Sequence, residues 1–463
     1  MSKQINKSQN PPKVYHKIAI LIRLIPVQLI IFFKFFKNIA RLKKAKFIYI
    51  NSEQFGHSVQ DSFAFIYVNR PRSIVISLGT KFPYSTKAER NPYWDKCLGD
   101  NLISIYFPRF IISQKVWNYS YPLVKKNIEL LLIFLRNTAS TVYFHSTEFS
   151  HEVSVKIITN QLNITTENAK KIVSHLDVRF YTGRGFYYPL GYIYFLMQNS
   201  SINTDSVYKG LSRHLRSLIE NLLANKQIVC LAVRRGENLW HSNADYYLKA
   251  IDAIYSEGFS VVLIGDRKYL LELAKERNYS LEDKIANYNV TVKEQKALEL
   301  FAIQKCLFVV GDQGGIWSIV SVFNKPGLLI NATPTGQLQY NVESLPRRWV
   351  CASTRVEMTD VNKIFGDLFF KWTSNSKISK TPESQTIKNS DSEAISNLIC
   401  IENDTDFVIS VIKRYMKNYV YQSPNEMQDI VKINFPENNF FKLAKKSSYS
   451  EEYINQLTGW KIT

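Results

Sequence analysis

From Gln227 onward the chain alternates two kinds of apolar pattern. QIVCLAVR (227–234), SVVLIGD (260–266), LFVVGDQGG (307–315) and GLLINAT (327–333) are near-continuous apolar runs, as expected of strands buried on both faces. Between them stand segments of helical period: NADYYLKAIDAIYSEG (243–258), closed by Gly258, then RKYLLELAKERN (267–278), KEQKALELFAIQ (293–304) and IWSIVSVFN (316–324). ANYNVTV (286–292) alternates apolar and polar positions and predicts one more short strand. Such alternation predicts βαβ units in a doubly wound parallel sheet.

The N-terminal part carries a looser version of the same pattern. KFIYI (46–50), RSIVISLG (72–79), LISIYF (102–107) and TVYFH (141–145) predict strands, with a helix from Ser62 and a long one from Pro122 to Arg136. Residues 150–225 read as mostly helical. Residues 374–398 are rich in Ser, Lys, Thr and Asn and read as a linker or long loop. A helix at 405–418 and shorter ones after it complete the chain. The expected division is an apolar basic segment (1–45), a first α/β lobe (46–225), a second (226–373), and a linker with C-terminal helices (374–463).

The first segment is a separate problem. IAILIRLIPVQLIIFFKFF (18–36) has the length of a transmembrane helix, but Arg23 and Lys34 interrupt it and Pro26 with Gln28 weakens its middle. No small-residue cleavage site follows, which disfavours a secretory signal. KNIARLKKAK follows instead. Apolar residues mixed with Lys and Arg suit a helix lying among lipid headgroups; a core helix with a solvated basic edge is the other reading.

Charge sharpens this. The 463 residues carry a formal net charge of +20. Eleven of the 59 basic residues and no acidic ones fall within the first fifty positions, so more than half of the excess sits there. The remainder is too dilute for a nucleic-acid stripe, and no nucleic acid is expected as a partner. Five dispersed cysteines without a CxxC pair suit a reducing compartment and neither a disulfide framework nor a structural zinc site. A cytoplasmic protein, peripheral to the membrane, is the expectation.

Ligands of open α/β sheets bind beyond the carboxyl ends of the strands. In the second lobe those ends carry Arg234 and Arg235, then Asp266 and Arg267, then Asp312, Gln313, Gly314 and Gly315, with Ser318 one turn on. Arginine and a Gly-Gly turn on one edge suit a phosphorylated ligand: a guanidinium clamps a diphosphate with two parallel bonds, and glycine admits close backbone approach. Equally, strand-end Asp and Arg pair with one another and Gly-Gly is a tight turn. In the first lobe, His57 and Asp61 follow the first strand; either is a candidate base for an acceptor hydroxyl, and an N-cap or a loop hydrogen bond is the alternative. Asp404-Thr405-Asp406 has the spacing of a DxD metal motif, but it opens a helix and reads as a cap. His145, Glu148, His151 and Glu152 lack HExxH spacing. Neither a metal site nor a cofactor is expected.

VCLAVRRGENLWHSNADYYLKAIDAIYSEGFSVVLIGD (229–266) resembles a family of bacterial surface-polysaccharide glycosyltransferases. The shared elements are Val233-Arg234, then Ser242-Asn243-Ala244-Asp245 opening Tyr247-Leu248-Lys249-Ala250-Ile251, then Gly258 through Gly265-Asp266. Gly311-Asp312-Gln313-Gly314-Gly315 is similar to the family's later turn, and the arginine strand end is more distantly similar to the donor lobe of fucosyltransferases. The chain departs from these patterns at Leu263, where the family has arginine, and at Ala232, where fucosyltransferases often have histidine. The resemblance implies a GT-B fold of two Rossmann-like lobes, with a UDP- or GDP-linked sugar on the second. It implies a glycan or lipid-linked acceptor on the first, and no obligatory metal. A polysaccharide pyruvyltransferase and a non-catalytic scaffold of a polysaccharide assembly complex are the competing expectations.

Overall fold

The computed structural model describes residues 14–42, 46–51, 73–81, 91–99, 102–108, 142–143, 204–224, 227–235, 244–312, 314–332, 342–351, 357–358, 377–378, 385–388, 398–417 and 447–449, with isolated residues between 59 and 170. Most of the expected 122–136 helix lies outside them, as do His145, Glu148, His151 and Glu152.

Helix α1 (Val14–Lys37) runs through Pro26 without a break and is followed by the single turn α2 (Ile39–Leu42). Strands β1 (Lys46–Asn51) and β2 (Ser73–Lys81) come next, then α3 (Pro92–Cys97), β3 (Leu102–Pro108) and β4 (Val142–Tyr143). The four strands form a parallel sheet in the order β3-β2-β1-β4, each where an apolar run predicts it. Helices α4 (Asp205–Lys209) and α5 (Arg213–Leu223) lead into the second sheet.

That sheet begins with β5 (Ile228–Val233), α6 (Ala244–Ser256), β6 (Ser260–Gly265), α7 (Arg267–Glu276), α8 (Val292–Lys305), β7 (Phe308–Asp312), α9 (Ile316–Val322), β8 (Gly327–Ala332) and β9 (Val342–Pro346). Its strand order, β15-β9-β8-β7-β5-β6, is parallel throughout, β15 (Ser447–Tyr449) being the last strand of the chain. Every residue of β5, β7 and β8 is buried, the burial on both faces that continuous apolar runs imply. Since β6 and β7 flank β5 on opposite sides, right-handed crossovers send α6 to one face and α8 to the other. Gly258 closes α6 at φ +86°, with Phe259 N–H returning to the Ile254 carbonyl, a left-handed helix stop.

Three expectations need correction. Residues 286–292 form no strand. Beside the edge strand β6 the chain turns, meeting it through one bridge between Val261 and Ile285. The Asn287 side chain then substitutes for a ladder partner, accepting from Leu263 N–H at 3.0 Å and donating to Leu263 C=O at 2.8 Å. An amide carries both groups a strand would offer, so the edge is closed without one.

The stretch read as a linker holds strands. A third, antiparallel sheet joins β10 (Arg348–Cys351), β11 (Glu357–Met358), β12 (Lys377–Ile378), β13 (Gln385–Lys388) and β14 (Leu398–Ile401) in the order β11-β10-β14-β13-β12. Ile378, Thr386 and Ile387 supply the β-branched residues that overall polarity concealed.

The tail is also more than helices. Helix α10 (Thr405–Lys417) packs on α6 and β8, and β15 extends the six-stranded sheet beside β9. Likewise α5 and α3, which precede β5, pack on α8; Asn91 Nδ2 donates to the Lys296 carbonyl at 2.7 Å.

Candidate functional site

The carboxyl end of the six-stranded sheet is tied together strand by strand. Gly265 ends β6 at φ +83°, where an added Cβ would stand 2.4 Å from the Val233 carbonyl oxygen. The same carbonyl accepts from Asp266 N–H at 2.9 Å. The Asp266 carboxylate in turn accepts from Arg235 N–H at 2.7 Å. Arg235 is exposed, with its guanidinium over the Tyr269 ring. Asp266 thus fixes the course of the chain leaving β5.

Between β5 and β7 the key group is a hydroxyl. Tyr247, on α6, accepts from Arg234 N–H at 3.0 Å and donates to the Asp312 carboxylate. Burial, and then the negative charge of Asp312, push the Tyr247 phenol well above its usual range, so it remains a donor. Asp312 is itself buried, and its carbonyl accepts from Trp317 Nε1 at 2.6 Å. Trp317 lies against Gly327, where a Cβ would come within 2.5 Å of the ring. Asp312 therefore positions its neighbours: through Tyr247 it sets the backbone of Arg234.

The Arg234 side chain then crosses the Gly-Gly turn. A Cβ on Gly314 would lie 3.6 Å from Arg234 Nη1. Gly315 stands as N-cap of α9 with helical φ and ψ of −62° and −21° and no side-chain cap bond. Ser318 is buried in the first turn of α9, its N–H directed at the Gly315 carbonyl. Gln313, His57 and Asp61 lie outside the described residues.

Arg267 faces the other way. It is buried, and its guanidinium donates to the carbonyls of Asn287, Tyr288 and Val290, clamping the turn that closes the sheet edge. Asp404 behaves as a cap: its carboxylate accepts from the N–H groups of Asp406 and Phe407, while Asp406 pairs with Lys249 at 2.7 Å. Among the described residues no group of three or more His, Cys, Asp or Glu is placed to hold a metal ion.

Sequence reasoning singled out Arg234, Arg235 and the turn but not Tyr247, which joins Arg234 to Asp312, nor buried Glu299, which accepts from Gly265 N–H at 2.9 Å. Helical spacing marks Tyr247 and Glu299 only as positions on a helix; nothing local signals a partner dozens of residues away.

The arrangement defines an α/β protein whose six-stranded parallel sheet carries Arg234 and Arg235 at the carboxyl end of β5. No family model matches the chain, and no curated protein matches it. Among solved structures it is similar to the ADP-heptose lipopolysaccharide heptosyltransferase II of E. coli, at 12% identity and TM-score 0.36, over 66% of this chain and 90% of that one. It is similar to a family 9 glycosyl transferase from Veillonella parvula, at 10% identity and TM-score 0.38, over 66% and 87%. A UDP-GlcNAc 2-epimerase from Methanocaldococcus jannaschii is similar at 12% identity and TM-score 0.31, over 62% and 84%.

Proposed function

We propose that this chain is a metal-independent glycosyltransferase of GT-B type, passing a hexosyl or deoxyhexosyl unit from a UDP- or GDP-linked donor to a glycan or lipid-linked acceptor. The setting is bacterial surface-polysaccharide synthesis, capsule or lipopolysaccharide, on the inner face of the plasma membrane. In this reading the six-stranded sheet is the core of the donor lobe and the four-stranded sheet that of the acceptor lobe.

One observation carries the proposal: Arg234, held by Tyr247 at the end of β5, reaches across Gly314 at the end of β7. β5 is the strand from which the winding runs outward in both directions, and the crevice at such a point is where doubly wound sheets bind ligands. As the bond from the anomeric carbon to the diphosphate breaks, its electron pair moves onto the departing oxygen. A fixed guanidinium there stabilises the transition state more than the ground state. Arg235 adds a second cation at the same strand end. His57 or Asp61 takes the proton of the acceptor hydroxyl, so charge balances across the transfer.

The test is thermal denaturation with UDP, GDP, ADP and phosphoenolpyruvate. A nucleoside diphosphate at about 100 times its Kd stabilises by about 2.7 kcal/mol, and one of the three should do so. Stabilisation by phosphoenolpyruvate alone moves the chain to the pyruvyltransferases, and no response to any of the four leaves it a scaffold.

A further inference from the structure

We propose that α1 lies in the plane of an anionic lipid bilayer and docks the protein there through one exposed apolar stripe: Ile22, Ile25, Leu29, Phe32, Phe33 and Phe36. The helix has two apolar faces. Val27, Ile31 and Phe35, four residues apart, are at most 1% exposed and form the face by which α1 packs on the protein, against β3. The stripe is 49–66% exposed. At 3.6 residues per turn the centres of the two faces stand roughly 150° apart, so the stripe points away from the protein. Its C-terminal half is a continuous aromatic surface: Phe32 stacks on Phe36 at 6.2 Å between ring centroids and meets Phe33 edge-on at 6.0 Å.

Large apolar side chains aligned along one exposed helix face mark an interaction surface rather than ordinary solvent-facing positions. Charge selects the occupant. Lys37 is exposed at the edge of the stripe, Lys34 is exposed on the helix flank, and the first fifty residues contain eleven basic and no acidic side chains. Two copies meeting through this stripe would press two such segments together with no carboxylate in either to pair with them. An anionic headgroup layer offers hydrocarbon for the stripe and counter-charge for its flanks. Spanning is incompatible with the packed face: the side of α1 carrying Val27, Ile31 and Phe35 is covered by protein. No helix of the described residues is long and apolar enough to cross a membrane. In-plane insertion to about 5–10 Å uses the stripe and leaves the packed face undisturbed.

This proposal does not rest on the transferase reading, and its test uses no nucleotide. The full chain is floated with vesicles of mixed phosphatidylglycerol and phosphatidylcholine, and with phosphatidylcholine alone. Phe33→Ser with Phe36→Ser is the test variant, its melting temperature confirming the fold. The wild type should float with the anionic vesicles, more weakly at high salt, and partition far less onto phosphatidylcholine. The double variant should lose partitioning on the order of tenfold or more at unchanged melting temperature. Equal partitioning of variant and wild type overturns the proposal. So does a vesicle-free dimer that the same substitutions dissociate, which assigns the stripe to a second copy. Release by detergent alone, with no response to salt, overturns in-plane docking in favour of a spanning helix.

Discussion

Arg234 lies across Gly314, with 3.6 Å from its Nη1, and 3.8 Å from its Cδ, to the point where a Cβ would stand on the glycine. Both are ordinary van der Waals distances, so a methyl fits there and a branched side chain does not. Gly314→Ala should leave folding and nucleoside-diphosphate affinity nearly unchanged, whereas Gly314→Val should displace the guanidinium and weaken binding. Arg234→Ala removes charge-assisted bonds worth about 1.5–3 kcal/mol, a loss of roughly 10- to 150-fold in affinity. Arg234→Lys keeps the charge without the planar fork and should fall between. Calorimetric titration and melting temperature on the same proteins decide this. A less stable Arg234→Ala with wild-type affinity makes the arginine structural and sinks the donor assignment.

Gly311 and Gly265 answer to backbone contacts instead. A Cβ on Gly311, at φ +148°, would meet the Ala232 carbonyl oxygen at 2.3 Å; on Gly265, at φ +83°, it would meet the Val233 carbonyl oxygen at 2.4 Å. Both glycines let β5 approach a neighbouring strand end, and the obstacle is main chain that cannot rotate aside. Alanine at either position combines strain in φ with overpacking, each about 1–3 kcal/mol. Urea unfolding should show both variants destabilised by about 2 kcal/mol or more, with Gly314→Ala as the tolerated control. Destabilisation below about 0.5 kcal/mol at either position would mean that the strand ends relax apart.

The contrast among these glycines shows what was legible beforehand. Apolar runs placed β5 to β8 because strands buried on both faces have no polar period to hide them. Pattern failed at 286–292, where apolar and polar positions alternate but the segment closes the β6 edge with its own Asn287 side chain instead of a backbone ladder. It failed again at Gln385–Lys388, a strand in a polar stretch, because short antiparallel strands need little apolar content. At the site, Arg234 and the Gly-Gly turn stood out through their position at strand ends. The Tyr247 bridge did not, because its partner Asp312 is 65 residues away. At the N-terminal segment, α1 packs like a core helix on one face and exposes an apolar stripe on the other, a division that hydropathy alone does not assign.

The cap of α8 predicts an acid-sensitive contribution to stability. Thr291 and Glu294 form a reciprocal capping box, and His214 Nε2 lies 2.6 Å from Glu294 Oε1. The Thr291 side chain first, then His214 and the Thr291 backbone, lower the Glu294 carboxyl from 4.5 to about 2. A carboxyl whose folded value is depressed stabilises the fold above its unfolded value, and that contribution is lost as pH falls from 4.5 through 2. Thr291→Ala removes the principal cause, at a cost of about 1 kcal/mol near neutral pH. Urea unfolding of wild type and variant across the acid range should therefore converge as Glu294 protonates. A difference that stays constant with pH would show that the Thr291 hydroxyl acts without its carboxylate partner.

Asn331 ties the approach to α10 into the six-stranded body. At φ +47° and 3% exposure, it directs Oδ1 at two donors of Asn403, the backbone N–H at 3.1 Å and Nδ2 at 3.0 Å. Asn403 Nδ2 also reaches the Pro346 carbonyl at 2.8 Å, and Arg347 Nε donates to the Asn331 carbonyl at 3.2 Å. One amide thus joins the end of β8 to the approach to α10, which packs back on α6 and β8. Two separable quantities are at stake. The left-handed backbone costs about 1–2 kcal/mol for a residue with a Cβ, and asparagine adopts it more readily than most. Leaving the buried Asn403 N–H without its acceptor costs about 1–3 kcal/mol. Asn331→Ala incurs both, whereas Asn331→Gly loses the acceptor but relaxes the backbone, so glycine should be the milder change by about 1 kcal/mol in urea unfolding. Hydrogen exchange at Asn403 should rise in both variants, because both lose the side-chain oxygen. Equal destabilisation by alanine and glycine would assign the whole effect to the lost bond; unchanged exchange at Asn403 would show that α10 is held by packing alone.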